Sequence, residues 1–445
     1  MAQGGSERER RLEELIRDLD GEPVEEIARR VQELEMRLDN AVNGTHPSLR
    51  DVTLAKTATS YIYPGRSGRS DDEREPSKLL YFGFNIDDLA KHSTFEETAY
   101  LIMNGHLPSQ EELDDLSRKL QESRDIPSEV IDNIRMTIGR GDSSMAVLRT
   151  AVSMLSAFDE HYDPNDNSFE TIVDTGIRLT SQVATIVAAY YRIKNGLEPV
   201  APNKEHSHAK NFLYMLHEEE PSDKYVAMMD MDLILHAEHG SNASAFAARV
   251  TAGTAADLYS SIVTAIGTLK GPKHGGAAEN ISNLMNEIIP LNELPEYSDK
   301  EIRQRVSDYI DNLLANRGRV PGAGHAVYRA VDARAPHSKA VAMEEGDPKV
   351  LIMLEAIESK VENSKLAERG VHINVDFWTG VIYNKFGLSQ DLYVPIFAVG
   401  RVPGWTRHIW EQTKLNQLIR PHLDYEGPMD LDYAVARAEV GRPLR

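Results

Sequence analysis

"GTLKGPKHGGAAEN", residues 267–280, holds a single histidine, His274, between a Gly-Pro pair and a Gly-Gly pair. The preceding run, "DLYSSIVTAIGTL" (257–269), is apolar nearly all round, as in a central buried helix. The segment that follows is rich in Ala and Asn and suits the start of another helix. A chain that interrupts two helices around one imidazole is either turning or presenting that imidazole. The rest of the sequence decides between the two.

Upstream, Ile86 to Gly267 reads as helical patches separated by short breakers. "NIDDLAKHSTFEETAYLIMNG" and "TIVDTGIRLTSQVATIVAAYYRIKNG" both end in Asn-Gly, a helix stop. Downstream, "NISNLMNEIIPL", "EIRQRVSDYIDNLLANRG" and "KVLIMLEAIESKVEN" continue the helical pattern. Strand signals are few: "VTLAKTATSYIY" (52–63) has weak alternation, enough for one or two short strands, and the polar tract 64–78 reads as a loop. The expectation is a mainly α protein with few short strands. Residues 275–386 read as a smaller helical domain inserted into a large one made of 46–274 and 387–445. The segments richest in Gly with His or Arg, around His274 and Arg401, flank the insertion, where a hinge and a cleft would lie. Residues 1–45 read as a charged helical arm. Its Val24, Ile27, Val31, Leu34, Leu38 and Ala41 form a heptad seam too short to stand without a partner surface.

The 445 residues carry 49 Lys and Arg against 70 Asp and Glu, a net charge of −21. That argues against nucleic-acid binding, and it requires positive charge to be clustered locally if the ligands are anions. With no cysteine, disulfides, thiolate metal sites and a cysteine nucleophile are excluded. "MAQGGSERERRLEEL" lacks the apolar core of a signal peptide, and no run approaches the roughly 18 apolar residues of a membrane span. The cytoplasm is the default location.

Polar chemistry gathers in a few Gly-rich or apolar contexts. They are "LILHAEHGSNASAF" (233–246), "GPKHGGAAE" (271–279), "RVPGAGHAVYRAVDARA" (319–335), "NVDFWTGVIY" (374–383), and "GRVPGWTRHIWEQ" (400–412) leading to "LIRPHLDYEGP" (418–428). Singly, each has an ordinary reading. His236 and His239 are spaced like metal ligands one helical turn apart, but no third ligand or HExxH pattern accompanies them. "GTLKGPKHGG" does not match a phosphate loop. Asp376 alone could be a cap, and Gly324-His325 a turn.

Together, in this order, the segments resemble the citrate synthase family, from about Leu80 to Gly427. "FNIDDLAKHSTFEETAYLIMNGHLP" is similar to its N-terminal helical signature, and "LKGPKHGGA", "PGAGHAVYRAVDAR", "NVDFWTG" and "RPHLDYEGP" to its active-site signatures. The resemblance implies a two-domain helical fold that closes on its substrates and works as a homodimer or higher homo-oligomer. It implies condensation of acetyl-CoA with oxaloacetate and hydrolysis of the thioester. Removing a methyl proton needs a carboxylate base and a donor at the carbonyl oxygen. The resemblance gives these roles to Asp376 and His274, and the polarising of the ketone to His325. Arg334, Arg401 and Arg420 match the carboxylate-binding arginines and His239 a further oxaloacetate contact, with Arg420 reaching the partner subunit's site. Arg317, Arg319 and Arg329, with the amides around Gly322 and Gly324, are candidates for the coenzyme A phosphates. Acetyl-CoA is a cosubstrate; neither a cofactor nor a metal is implied.

Departures from the pattern are Ala323 for an aromatic residue, Ala333 in "DAR" and Ala245 in "NASA". They touch acyl-CoA affinity more than reaction type. Two other readings remain: a 2-methylcitrate synthase accepting propionyl-CoA, with Phe377 and Trp378 as candidate selectors, and a non-catalytic paralogue. For the opening stretch, Gly275 and Gly276 are expected to leave room beside the imidazole for a thioester. The N-terminus of a following helix is expected to keep His274 neutral.

Overall fold

The computed structural model describes residues 52–68, 74–275, 277–422 and 427–439. The charged arm and its heptad seam lie outside the described residues, as does Gly276. Residues 58–445 form one compact unit. Among the described residues no helix is long and apolar enough to cross a membrane.

The strands β1 (Ser60–Tyr63), β2 (Lys78–Tyr81) and β3 (Phe84–Asn85) form an antiparallel sheet in the order β1-β2-β3, with Ser60 opposite Tyr81. The alternating run 52–63 therefore yields one strand, at its end. Leu79 and Tyr81 alternate into the core, and the Tyr81 hydroxyl donates to the carbonyls of Ile234 (3.2 Å) and Glu238 (2.9 Å).

The rest is helical. First come α1 (Ile86–His92), α2 (Phe95–Asn104), α3 (Gln110–Glu122), α4 (Ser128–Gly139), α5 (Ser144–Leu155) and α6 (Phe169–Lys194). They are followed by α7 (His208–His217), α8 (Asp223–His236), α9 (Ala243–Ala252), α10 (Leu258–Leu269), α11 (Ala277–Ile288) and α12 (Asp299–Ala315). The chain continues with α13 (Ala335–Glu345), α14 (Pro348–Glu362), α15 (Lys365–Glu368), α16 (Asp376–Lys385), α17 (Tyr393–Leu415) and α18 (Tyr433–Glu439).

Local chemistry explains the boundaries. Asn85 caps α1, and Thr94 interrupts the pattern because its side chain accepts the Glu97 amide and starts α2 afresh. Ser109 with Glu112, and Ser298 with Glu301, make reciprocal capping boxes on α3 and α12. The Asn-Gly stops operate as read: α2 ends at Gly105 with φ 90°, and α6 gives way to Asn195 and Gly196. α10 is less enclosed than its composition suggests, with Leu258, Ile262, Ala265 and Ile266 buried but Ser260 exposed.

Buried apolar residues fall into a large cluster and a second one, with a small satellite around Met103 and Leu116. The large cluster is built on α5–α10 and α17. The second includes Ile281, Ile302, Ile310, Leu354, Ile357 and Trp378. The division runs through α16: Phe377 and Val381 pack with the second cluster, Ile382 and Tyr383 with the first.

α17 reaches the end of α8 because Gly400 and Gly404 present no side chain there. A Cβ on Gly404 would strike the Ala237 carbonyl and come 2.5 Å from Glu238 Oε2; one on Gly400 would lie 3.0 Å from the Leu233 carbonyl. Gly404→Ala should therefore cost about 1–3 kcal/mol through overpacking, read as a lower denaturant midpoint. An unchanged midpoint would show that the two helices are not in contact at this position.

Candidate active site

A cleft of about 780 Å³ opens where the end of α8, the loop after α10, the loop 319–327 and the starts of α9 and α16 converge on α17. His239, His274, His325, Arg334, Asp376 and Arg401 all line it. Of the candidate coenzyme contacts, Arg319, Gly322 and Gly324 line it too. Among the described residues that line the cleft, Arg317, Arg329 and Arg420 are absent. Arg317 is exposed, in a left-handed turn with φ 58°. Arg329 Nη1 donates to the carbonyls of Val327 (3.1 Å) and Tyr328 (2.9 Å), tying down its own loop. Arg420 is exposed on the segment after α17.

His274 is fixed by a backbone donor. The Ser244 amide, second in α9, points at His274 Nε2 from 3.2 Å, and the Ser244 hydroxyl lies 2.9 Å from the same atom. An N–H can only donate, so Nε2 is unprotonated and the ring proton sits on Nδ1. Asn242 caps α9 through the Ala245 amide, and Trp405 on α17 donates to Ser244 Oγ at 3.1 Å. Burial foremost, with the charge of Arg401, pushes the His274 pKa down to about 4. The neutral imidazole is as expected, with burial as its foremost cause, and the start of α9 adds an amide donor aimed at Nε2 that the sequence did not announce. Gly275 is also explained differently. A Cβ there would lie 2.6 Å from the Leu269 carbonyl and from Val394, so the glycine serves packing.

His325 has the opposite tautomer. Its Nδ1 accepts the amides of Val327 (3.0 Å) and Tyr328 (3.1 Å), leaving Nε2–H as the donor. Burial again dominates and holds its pKa at about 4. His239 is 6% exposed, with Nε2 3.0 Å from the Tyr328 hydroxyl, and burial holds its pKa well below the ordinary value.

Asp376 is the first residue of α16. Burial raises its carboxyl to about 6, with Asp332 adding to the rise and Arg334 and Arg401 opposing it. Such a carboxylate is ionised at neutral pH and more basic than an ordinary one. Arg334 is buried and paired with Asp332 through Nε (3.0 Å) and Nη2 (2.7 Å), which leaves its Nη1 side for a ligand. Arg401, inside α17, donates from Nε to the His236 carbonyl at the end of α8, leaving both terminal nitrogens.

Sequence reasoning missed the partners. Asp332 stands in the quoted "VDAR" and could have been seen as the counter-ion of Arg334. Ser244 follows a recognisable Asn cap, whereas Trp405 and Tyr328 carried no signal. Phe377 and Trp378 do not line the cleft; both are buried in the second cluster, with Phe377 beneath Gly322.

Fold and cleft define a class: a mainly helical protein with neutral imidazoles, one basic carboxyl and three guanidinium groups gathered in one cavity. Known proteins narrow it further. The family described as "Citrate synthase, C-terminal domain" matches residues 48–422. A citrate synthase of Haloferax volcanii is 39% identical over 86% of this chain and 96% of its own. A 2-methylcitrate synthase of Corynebacterium glutamicum is 34% identical over 85% and 94%. The citrate synthase of Thermoplasma acidophilum, solved as a ternary complex with carboxymethyl coenzyme A and oxaloacetate, superposes with a TM-score of 0.76 at 28% identity, over 86% of this chain and 96% of its own. The chain belongs to the citrate synthase family and is an enzyme of that kind.

His274 and His325 each bind a proton more weakly folded than unfolded. The stability tied to their neutral state is complete above about pH 6.5 and is lost as pH falls from there toward 4. In ¹⁵N-histidine NMR at pH 7, His274 should carry its proton on Nδ1 and His325 on Nε2, both neutral. An imidazolium signal from either would contradict the hydrogen-bond assignment.

Proposed function

We propose that this enzyme condenses acetyl-CoA with oxaloacetate and water to give citrate and CoA, acting as a cytoplasmic homo-oligomer. One observation carries the reading: a carboxyl raised to about 6 shares a cleft with two neutral imidazoles whose protons are fixed on opposite nitrogens. The Asp376 carboxylate takes a proton from the methyl group while His274 Nδ1–H donates to the thioester oxygen. The nucleophilic carbon adds to a ketone polarised by His325 Nε2–H. Each such donor is worth about 3–4 kcal/mol in the transition state. Arg334 and Arg401 hold the carboxylates, aided by His239. Arg319 with the amide edge near Gly322 is the better-placed part of the coenzyme site. The separate apolar cluster supports treating 275–386 as a domain that closes over the substrates. No Lewis acid or redox group is called for in this sequence of steps.

The second reading, 2-methylcitrate synthesis from propionyl-CoA, is favoured by the Corynebacterium glutamicum relative. A methylene is worth only about 1–3 kcal/mol of selectivity. Free thiol release with oxaloacetate should show a higher kcat/KM for acetyl-CoA than for propionyl-CoA. The reverse order would select the second reading, and no thiol with either would end both. Asp376→Asn should lower kcat by about 10²-fold or more while oxaloacetate still binds.

Arg420 is proposed to complete the partner subunit's site. Its exposure and its place outside its own cleft support this. Mixed oligomers of D376N and R420A chains would then contain one intact site per heterodimer. Unfolding and refolding the two inactive variants together should restore about a quarter of wild-type activity. No recovery would show that Arg420 serves its own chain or neither.

A further inference from the structure

His236 is a buried cleft residue that the assigned steps leave unused. It ends α8 and is 1% exposed, and its ring stacks on Phe397 with centroids 4.0 Å apart and planes inclined by 20°. Its Nδ1 lies 2.8 Å from the Asp232 carbonyl oxygen. A carbonyl only accepts, so the ring proton is on Nδ1 and Nε2 presents a bare lone pair. Among the described residues no protein donor reaches Nε2, although His236 lines the cleft. A buried acceptor without a donor costs about 1–3 kcal/mol, so this atom is matched to something that enters.

The chemistry of the cleft narrows what that is. Oxaloacetate offers carboxylates and a ketone, all acceptors at neutral pH. The reacting end of an acyl-CoA offers only a thioester carbonyl, and the amide donors of the coenzyme lie along its arm. The hydroxyls of the coenzyme lie along the same arm, so the one reactant that brings an O–H to the reacting centre is water. Resting on the reading given under Proposed function, we propose that His236 Nε2 holds and aims the water that hydrolyses the condensed thioester.

One O–H of the water donates to His236 Nε2, which turns an oxygen lone pair toward the thioester carbonyl carbon. The C–O bond forms as the C–S bond breaks. One proton of the water ends on the departing sulfur and the other is lost as the new carboxyl group ionises, so water is the only co-reactant. With its pKa held down to about 3 by burial, and further by Arg334, His236 is too weak a base to take the proton itself. It acts as a positioning residue. Asn374 Oδ1 is another unpartnered acceptor lining the cleft, held by an Nδ2 bond of 3.0 Å to the Gly324 carbonyl, and it suits the same class of donor.

Two substitutions separate this role from a structural one. In His236→Asn the side-chain amide can keep the bond to the Asp232 carbonyl but offers nothing at the Nε2 position. In His236→Gln an oxygen can stand near that position. Single turnovers with oxaloacetate and acetyl-CoA, quenched in acid, report condensed thioester and free thiol separately. H236N should release thiol about tenfold or more slowly and accumulate the condensed thioester, and H236Q should do so to a smaller degree. H236F keeps the stacked ring, removes both nitrogens and should behave as H236N, which covers the case in which H236N does not fold. Unaltered thiol release in H236N and H236F, equal effects in all three variants, or parallel loss of condensation and thiol release would overturn the proposal. Wild-type enzyme that forms neither product would instead overturn the reaction assigned above.

Discussion

The Ser244 amide points at His274 Nε2 from 3.2 Å, and an amide hydrogen cannot be withdrawn or reversed. Protonating Nε2 would set two donors against each other inside the protein, so the neutral ring is the stable one and its proton must sit on Nδ1. Everything around this bond serves to hold it. Asn242 fixes where α9 begins, and Trp405 anchors the Ser244 hydroxyl from α17. The tight passage of α17 along α8 brings that indole within reach. His325 repeats the device with two amides on the other nitrogen. Backbone geometry thus sets which nitrogen of each ring carries the proton, while burial is the foremost reason that both rings stay neutral.

Charge is handled just as locally. A chain of net charge −21 must still attract anions. Asp332 balances Arg334, which makes burial of that guanidinium tolerable. Arg401 has a carbonyl for its Nε, and the nearby Glu238 only partly offsets a pKa lowered by burial. Glu238 is itself engaged by His408 (2.9 Å) and Ser60 (3.0 Å), so its field is shared across β1 and α17. Arg401 is therefore less compensated than Arg334. A carboxylate arriving beside it gains more than one beside Arg334, because less existing attraction must be given up.

The elements were legible because their signals are local. Asn85, Thr94, Ser109 and Ser298 act on amides two or three residues away, and Gly105 and Gly196 relieve their own backbone. The residues brought to the cleft could be named because they sit in recognisable contexts, and Asp332 lay in plain view two residues from Arg334. What could not be read depends on packing. Trp405 and Ser244 are 161 positions apart, and Tyr328 and His239 are 89 apart. Periodicity tells which face of a helix is buried, not which atom on a distant helix it will meet. The same limit hid the start of α9 that faces His274, and it put Phe377 and Trp378 at a cleft from which packing removes them.

One buried bond relates the proposed base, Asp376, to the proposed water-holding residue, His236. Tyr383, two turns beyond Asp376 on α16, donates its hydroxyl to Asp232 Oδ2 at 2.7 Å, and Asp232 lies one turn before His236 on α8. Both partners are fully buried, and burial raises the Asp232 carboxyl to about 7. As a contribution to stability such a bond is modest, about 1–3 kcal/mol. As a constraint it is strong, because each helix carries its reactive group a fixed number of turns away. The start of α16 packs with the second apolar cluster while Tyr383 packs with the first. The bond thus pins the end of α16 that stays with α8. That end of α16 is thereby held in register on α8 one turn from His236, while Asp376 begins the end whose Phe377 packs with the second cluster.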